Sequence, residues 1–106
     1  MASTTVNVAD NRELRRLEAL LEDGDVAGFA EYRIDLDDRF EFFHTEVDER
    51  FTGQGVGSTL VAGVMDFLRK EDARIVPSCD FIRDYMRKHD ETHGLLADGA
   101  TLDEES

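Results

Sequence analysis

Between residues 52 and 58 the chain reads Thr52-Gly53-Gln54-Gly55-Val56-Gly57-Ser58, and no other stretch limits the fold as tightly. Ahead of it, Phe40 through Val47 is rich in aromatic and β-branched residues, the composition of a buried strand. Behind it, Leu60, Val64 and Leu68 recur in four-residue steps with Val61 and Met65 beside them, the apolar stripe of a helix. A strand must therefore pass into a helix through alternate glycines. Such a loop lets main-chain amides approach a ligand closely, and the helix dipole directs its positive end to the same point, so an anion such as pyrophosphate is expected there. No Gly-Lys-Ser/Thr follows, which excludes a Walker loop, and the loop does not follow the first strand as a dinucleotide fingerprint does.

The flanking chain supplies the remaining elements. Residues 1–11 carry Val6 and Val8 in alternation, compatible with an edge strand or a frayed end. Leu14, Leu17, Leu20 and Leu21 follow at helical spacing, but Glu22-Asp23-Gly24-Asp25 is a tight hairpin signal, and a hairpin needs a strand before it. Val26 to Ile34 alternates as a strand, and Phe40, Phe42, His44 and Glu46 are expected to share one face of the next. After the helix, Ala73-Arg74-Ile75-Val76 is a short strand stopped by Pro77. Ser78 or Asp80 then caps a second helix, Phe81 to His89, with Phe81, Ile82, Tyr85 and Met86 as its stripe. The fold class is α+β: an antiparallel meander, one βαβ crossover and a final helix. Residues 1–96 are expected to form a single domain and 97–106 an acidic, solvated tail.

Charge and cysteine usage narrow the partners. Twenty-five acidic residues against twelve basic ones give a net charge of −13, a field that repels nucleic acid. Of the basic residues only Lys70 and Lys88 are lysines, and the acidic ones are scattered, a surface habit expected of a halophilic protein, whose charge strong salt screens. No apolar run approaches the roughly 18 residues needed to span a bilayer, the first residues lack a secretory pattern, and a lone Cys79 excludes an internal disulfide. A cytoplasmic protein is expected.

Cys79 lies between a strand and a helix, where the helix dipole favours thiolate although Asp80 opposes it; it is either an acyl-accepting or orienting thiol or a small buried filler. His44 and Glu46, two apart on a strand, project from the same face, so one of them is a candidate to deprotonate an incoming amine. Phe40, Phe42 and Phe43 read as core. His89 and His93 lack an evident third partner, so no metal is expected.

The loop resembles the pyrophosphate loop of the GNAT acyltransferase superfamily, Gln/Arg-x-x-Gly-x-Gly/Ala. Gly55 and Gly57 match its glycines, while Thr52 stands at its first position. His44-Thr45-Glu46-Val47, the loop, and Val76-Pro77-Ser78-Cys79 followed by Tyr85 and His89 resemble a subfamily of very short GNAT-like proteins over about residues 14–96, with Cys79-Asp80-Phe81 where that subfamily has Cys-Pro-Phe. The resemblance implies a strand at Arg15–Leu21 and acetyl transfer from acetyl-CoA to an amine on a small molecule or a protein, by a monomer or homodimer. It implies that Thr52, Gly53, Gln54, Gly55, Val56, Gly57 and Ser58 hold the pyrophosphate. Pantetheine would lie along Val47, in a cleft where that strand splays from Ile75-Val76. A main-chain amide would face the acyl carbonyl, and Tyr85 would protonate the departing thiolate. The alternative is a non-catalytic CoA-binding or protein-interaction module on the same fold.

Overall fold

The computed structural model describes residues 5–102; the amino-terminal segment read for a targeting signal and the acidic end Asp103-Glu104-Glu105-Ser106 lie outside them. Five strands form one mixed sheet in sequential order: β1 (Asn7–Asn11), β2 (Arg16–Leu20), β3 (Val26–Ile34), β4 (Phe40–Val47) and β5 (Ile75–Pro77). The first four pair antiparallel and β5 joins β4 in parallel, with α1 (Val56–Lys70) as the crossover and α2 (Asp80–Lys88) after it. This is the meander and βαβ unit expected.

The strand reading of residues 15–21 prevails over the helical spacing. Leu14, which supplied the first member of the helical series, lies in the turn and is more than half exposed, whereas Leu17 and Ala19 are buried on one strand face. The following hairpin is wider than a two-residue turn. Leu21 and Asp25 close it, and Gly24, at φ +91°, takes the left-handed position that ends a three-residue loop.

One face of the sheet packs beneath the helices. Leu17, Ala19, Ala30, Tyr32, Phe40 and Phe42 meet Val56, Leu60, Val61, Val64 and Leu68 of α1 and Ile82 and Met86 of α2 in one buried cluster. The helix sits low on the sheet edge because residue 63 is glycine: a Cβ there would meet Val8 at 2.6 Å.

Two sequence expectations fail on β4 for one reason. Pairing runs Glu31 to His44 but Tyr32 to Phe42, so Phe43 is an extra residue and the faces switch at it. Phe40 and Phe42 point under the helices, while His44 and Glu46 lie with Phe29 on the opposite, uncovered face. Phe43 is not core either; it is half-buried beneath the Arg33 guanidinium, 4.2 Å from its ring centre.

The helix cap expectation also changes. Cys79 is the residue preceding α2 and makes no capping hydrogen bond, while the Ser78 hydroxyl donates to Glu41 Oε2 at 2.7 Å. That bond, with the Arg33 ion pair, holds the Glu41 carboxyl below its ordinary range and pins the end of β5 to β4. Ala97, where the tail was expected to begin, is buried, its N–H donates to the Ile75 carbonyl, and Leu102 packs on the core.

Candidate active site

The sheet opens where β4 and β5 part. Their pairing ends at Phe42 and Pro77 with a last bond from Ser78 N–H to the Phe42 carbonyl, 3.0 Å. Proline offers no ladder donor, and the chain turns at Cys79 into α2 while β4 continues to Val47. Along that continuation Asp48 N–H donates to the Ala27 carbonyl of β3 at 2.8 Å. The two-residue alternation of an antiparallel ladder then turns the main-chain groups of Glu46 and His44 toward β3 and those of Val47 and Thr45 away from it, into the gap.

Across the gap stands Cys79. Its half-buried thiol donates to Thr45 Oγ1 at 3.4 Å, with Thr45 on the helix side of β4. Thr45 is the polar neighbour that the sequence reading passed over. Its alternation from Phe42 assigns it to the other face, and only the extra residue at Phe43 reverses that.

At the end of β4 a short 3-10 turn, Glu49–Phe51, leads to the glycine loop. Asp48 accepts from Arg50 through both side chain and N–H, which holds its carboxyl below the usual range. Gly53 and Gly55 adopt φ of +78° and +80°, conformations that L side chains rarely take, and space beside both is open. Gly55 precedes α1 and has no side chain to offer as a cap, so the first N–H groups of the helix, those of Val56, Gly57 and Ser58, face the groove. The Thr52 hydroxyl donates to the Glu49 carbonyl at 2.9 Å and the Gln54 amide to the Arg50 carbonyl at 3.1 Å, so both side chains brace the loop.

The resulting groove of about 350 Å³ is lined by Val47, Phe51, Thr52, Gly53, Gly55, Val56, Gly57, Ser58 and Phe81. Of the eight residues expected to hold a cofactor, all but Gln54 line it. Phe81 was read from sequence as a member of the core stripe; it is 45% exposed and forms a wall of the groove. The glycine at 57 was its signal, because the ring lies over that position.

The four candidate catalytic residues divide into three locations. Cys79 is in the gap. His44 and Glu46 form an exposed pair on the uncovered face, Nε2 to Oε2 3.3 Å, with the His44 ring 6.1 Å from that of Phe29. Tyr85 stacks on His89 at 3.9 Å, partly buried against the core, and burial pushes its hydroxyl pKa up. Six positions separate it from Cys79, about 9 Å along a helix axis. His93 sits 2.8 Å from the Met86 carbonyl, and His89 pairs with Glu91.

Residues 16–95 match the family model described as GCN5-related N-acetyl-transferase. Protein NATD1 of Xenopus tropicalis is 35% identical over 46 residues, 43% of this chain and 42% of its own length. In structure the chain resembles a GCN5-like protein of Staphylococcus aureus solved by NMR, with a TM-score of 0.64, 22% identity, and coverage of 87% of this chain and 88% of the other. That likeness establishes the shared fold.

Proposed function

Because the chain belongs to the GCN5-related N-acetyltransferase family, we propose that it transfers an acetyl group from acetyl-CoA to an amine across the gap between β4 and β5. The observation that carries this reading is the continuity of the groove. It starts at the first residues of α1, Val56, Gly57 and Ser58, and ends at Val47, two residues along β4 from the Thr45–Cys79 pair. The residues fit the ligand: N–H groups at a helix start suit the pyrophosphate, and the open space at Gly53 and Gly55 admits it.

Acetyl-CoA supplies an activated thioester; the protein supplies orientation and charge. The N–H groups that Thr45 and Val47 turn into the gap stabilise negative charge on the carbonyl oxygen as the nitrogen attacks. In the transfer a carbon–nitrogen bond forms, the carbon–sulfur bond breaks, the nitrogen loses a proton and the thiolate gains one. We assign the first proton to His44, held by Glu46, which implies that the amine approaches from the uncovered face. Cys79 and Thr45 orient the acyl end from the helix side. Tyr85, whose hydroxyl burial holds still more firmly in its neutral form, is left to reach the thiolate through water. A cytoplasmic, halophilic setting accords with the net charge of −13; among the described residues, no helix is long and apolar enough to cross a membrane.

The test is calorimetric titration with acetyl-CoA in low and in molar salt, since both partners are anionic, followed by an assay of acetyl transfer to lysine-containing peptides and small amines. Saturable binding and acetylated product are expected. No heat and no thermal stabilisation in either salt would overturn the reading, and binding without transfer to any amine would leave a CoA-binding module.

A further inference from the structure

Phe81 is a large apolar side chain left 45% exposed, and it is the α2 residue that lines the groove. Its ring is seated on Gly57: a Cβ built there would lie 2.5 Å from Phe81 Cζ and 3.2 Å from Cε1. Val47 and Phe51 line the same groove and add apolar surface to it, beside the glycine loop. Phe81 is also only two residues from Cys79. Its ring therefore joins the helix end of the loop, at Gly57, to the start of α2, two residues beyond Cys79.

We propose that Phe81 is a specificity-determining residue that grips the uncharged pantetheine arm of the acyl donor. This rests on the acetyl-CoA reading of the groove. Main-chain N–H groups at the loop recognise phosphate oxygens whatever they carry, so the loop alone would take ADP as readily as an acyl-CoA. The arm is a flexible chain of methylenes, methyl groups and amides, and ordering it costs conformational entropy that phosphate contacts do not offset. An exposed aromatic ring that lines the groove together with Val47 and Phe51 offers apolar surface to that arm. Gly57 is what lets the ring lie there. The atoms that a methyl group at 57 would meet are the far end of a rotatable side chain, so Gly57→Ala displaces the ring and leaves the helix in position.

The experiment measures binding of acetyl-CoA and of ADP to the wild-type protein, to Phe81→Ala, to Gly57→Ala and to the double variant, with melting temperatures as a check on folding. We expect Phe81→Ala to weaken acetyl-CoA about tenfold, on the order of what loss of an aromatic contact does, and to leave ADP unchanged. Gly57→Ala should weaken acetyl-CoA similarly even though alanine is the better helix former. In the Phe81→Ala background it should add nothing, because the ring it displaces is gone. Unchanged acetyl-CoA affinity in Phe81→Ala overturns the proposal while the acetyl-CoA reading stands. Equal weakening of ADP and acetyl-CoA assigns the ring to the nucleotide and also overturns it. A wild-type protein that binds neither probe removes the acetyl-CoA reading itself.

Discussion

The two faces of this sheet are built from the same strands by different physics. Under the helices, Leu17, Ala30, Tyr32, Phe40 and Phe42 are shut away with Leu60 and Val64, and burial of apolar surface holds them. On the uncovered face the aromatic rings lie beneath guanidinium groups: Arg16 is 4.3 Å from the Phe29 ring centre and Arg33 4.2 Å from that of Phe43. Ion pairs complete the layer, Arg16 to Glu18 at 2.7 Å and Arg33 to Glu41 at 3.0 Å. A sheet lacking helices on one side thus covers its aromatic residues with arginine stems, which keep their charges in water. The difference teaches where stability resides: substitutions in the buried cluster under the helices should unfold the protein, and those of exposed side chains on the other face should leave it folded.

The largest effect is expected under α1. Leu60 is fully buried, so Leu60→Ala leaves a cavity and should cost about 3 to 5 kcal/mol, read as a fall in denaturant midpoint with an unchanged slope. His44→Ala should do the reverse. Its side chain is nearly half exposed, so stability should hold within about 0.5 kcal/mol, while the rate of acetyl transfer drops on the order of a hundredfold with acetyl-CoA affinity kept. If His44→Ala unfolds the protein, or leaves the rate intact, the division of labour between the faces is wrong.

Tyr32 tests the helix side by pH. Its hydroxyl donates to Asp10 at 2.8 Å, and burial together with that bond pushes its pKa up to about 12, from 10 in the unfolded chain. The folded state therefore holds the proton more tightly. Its contribution is complete below pH 10 and is lost as pH rises from 10 to about 12, where up to roughly 2 kcal/mol should disappear. Tyr32→Phe should flatten that stretch of the stability curve; a curve that keeps its slope would mean that the hydroxyl is not so held.

What the sequence made legible follows the same division. Element types, the crossover and the glycine groove could be read because period, turn chemistry and glycine are local signals. The strand at Arg16–Leu20 needed the hairpin beside it, since Leu14 gave a helical spacing from within a turn. The extra residue at Phe43 was not legible. A bulge arises from how β4 pairs with β3, not from the residue itself, and one unpaired position exchanges every face beyond it. His44 and Glu46 were therefore assigned to the same face as Phe40, and Thr45, the partner of Cys79, was missed. Phe81 was misread because periodicity reports the side of a helix, whereas exposure depends on Gly57 across the groove.

The smallest predicted effect sharpens the comparison most directly, because Arg33 belongs to both kinds of interaction on the uncovered face. It pairs with Glu41 at 3.0 Å and lies over Phe43, and its side chain is 62% exposed. Ion pairing between exposed groups is screened within about 10 Å at 0.1 M salt, and within about 3 Å at 1 M. Contact between the guanidinium plane and the ring face acts at shorter range and also buries the arginine stem. Double-mutant cycles should therefore give couplings of a few tenths of a kcal/mol up to about 1 for both Arg33–Glu41 and Arg33–Phe43 in low salt. In molar salt the first should fall by more than half and the second persist. Loss of both would show that charge alone holds this face together, and a highly acidic protein would then have no salt-independent cover for Phe43.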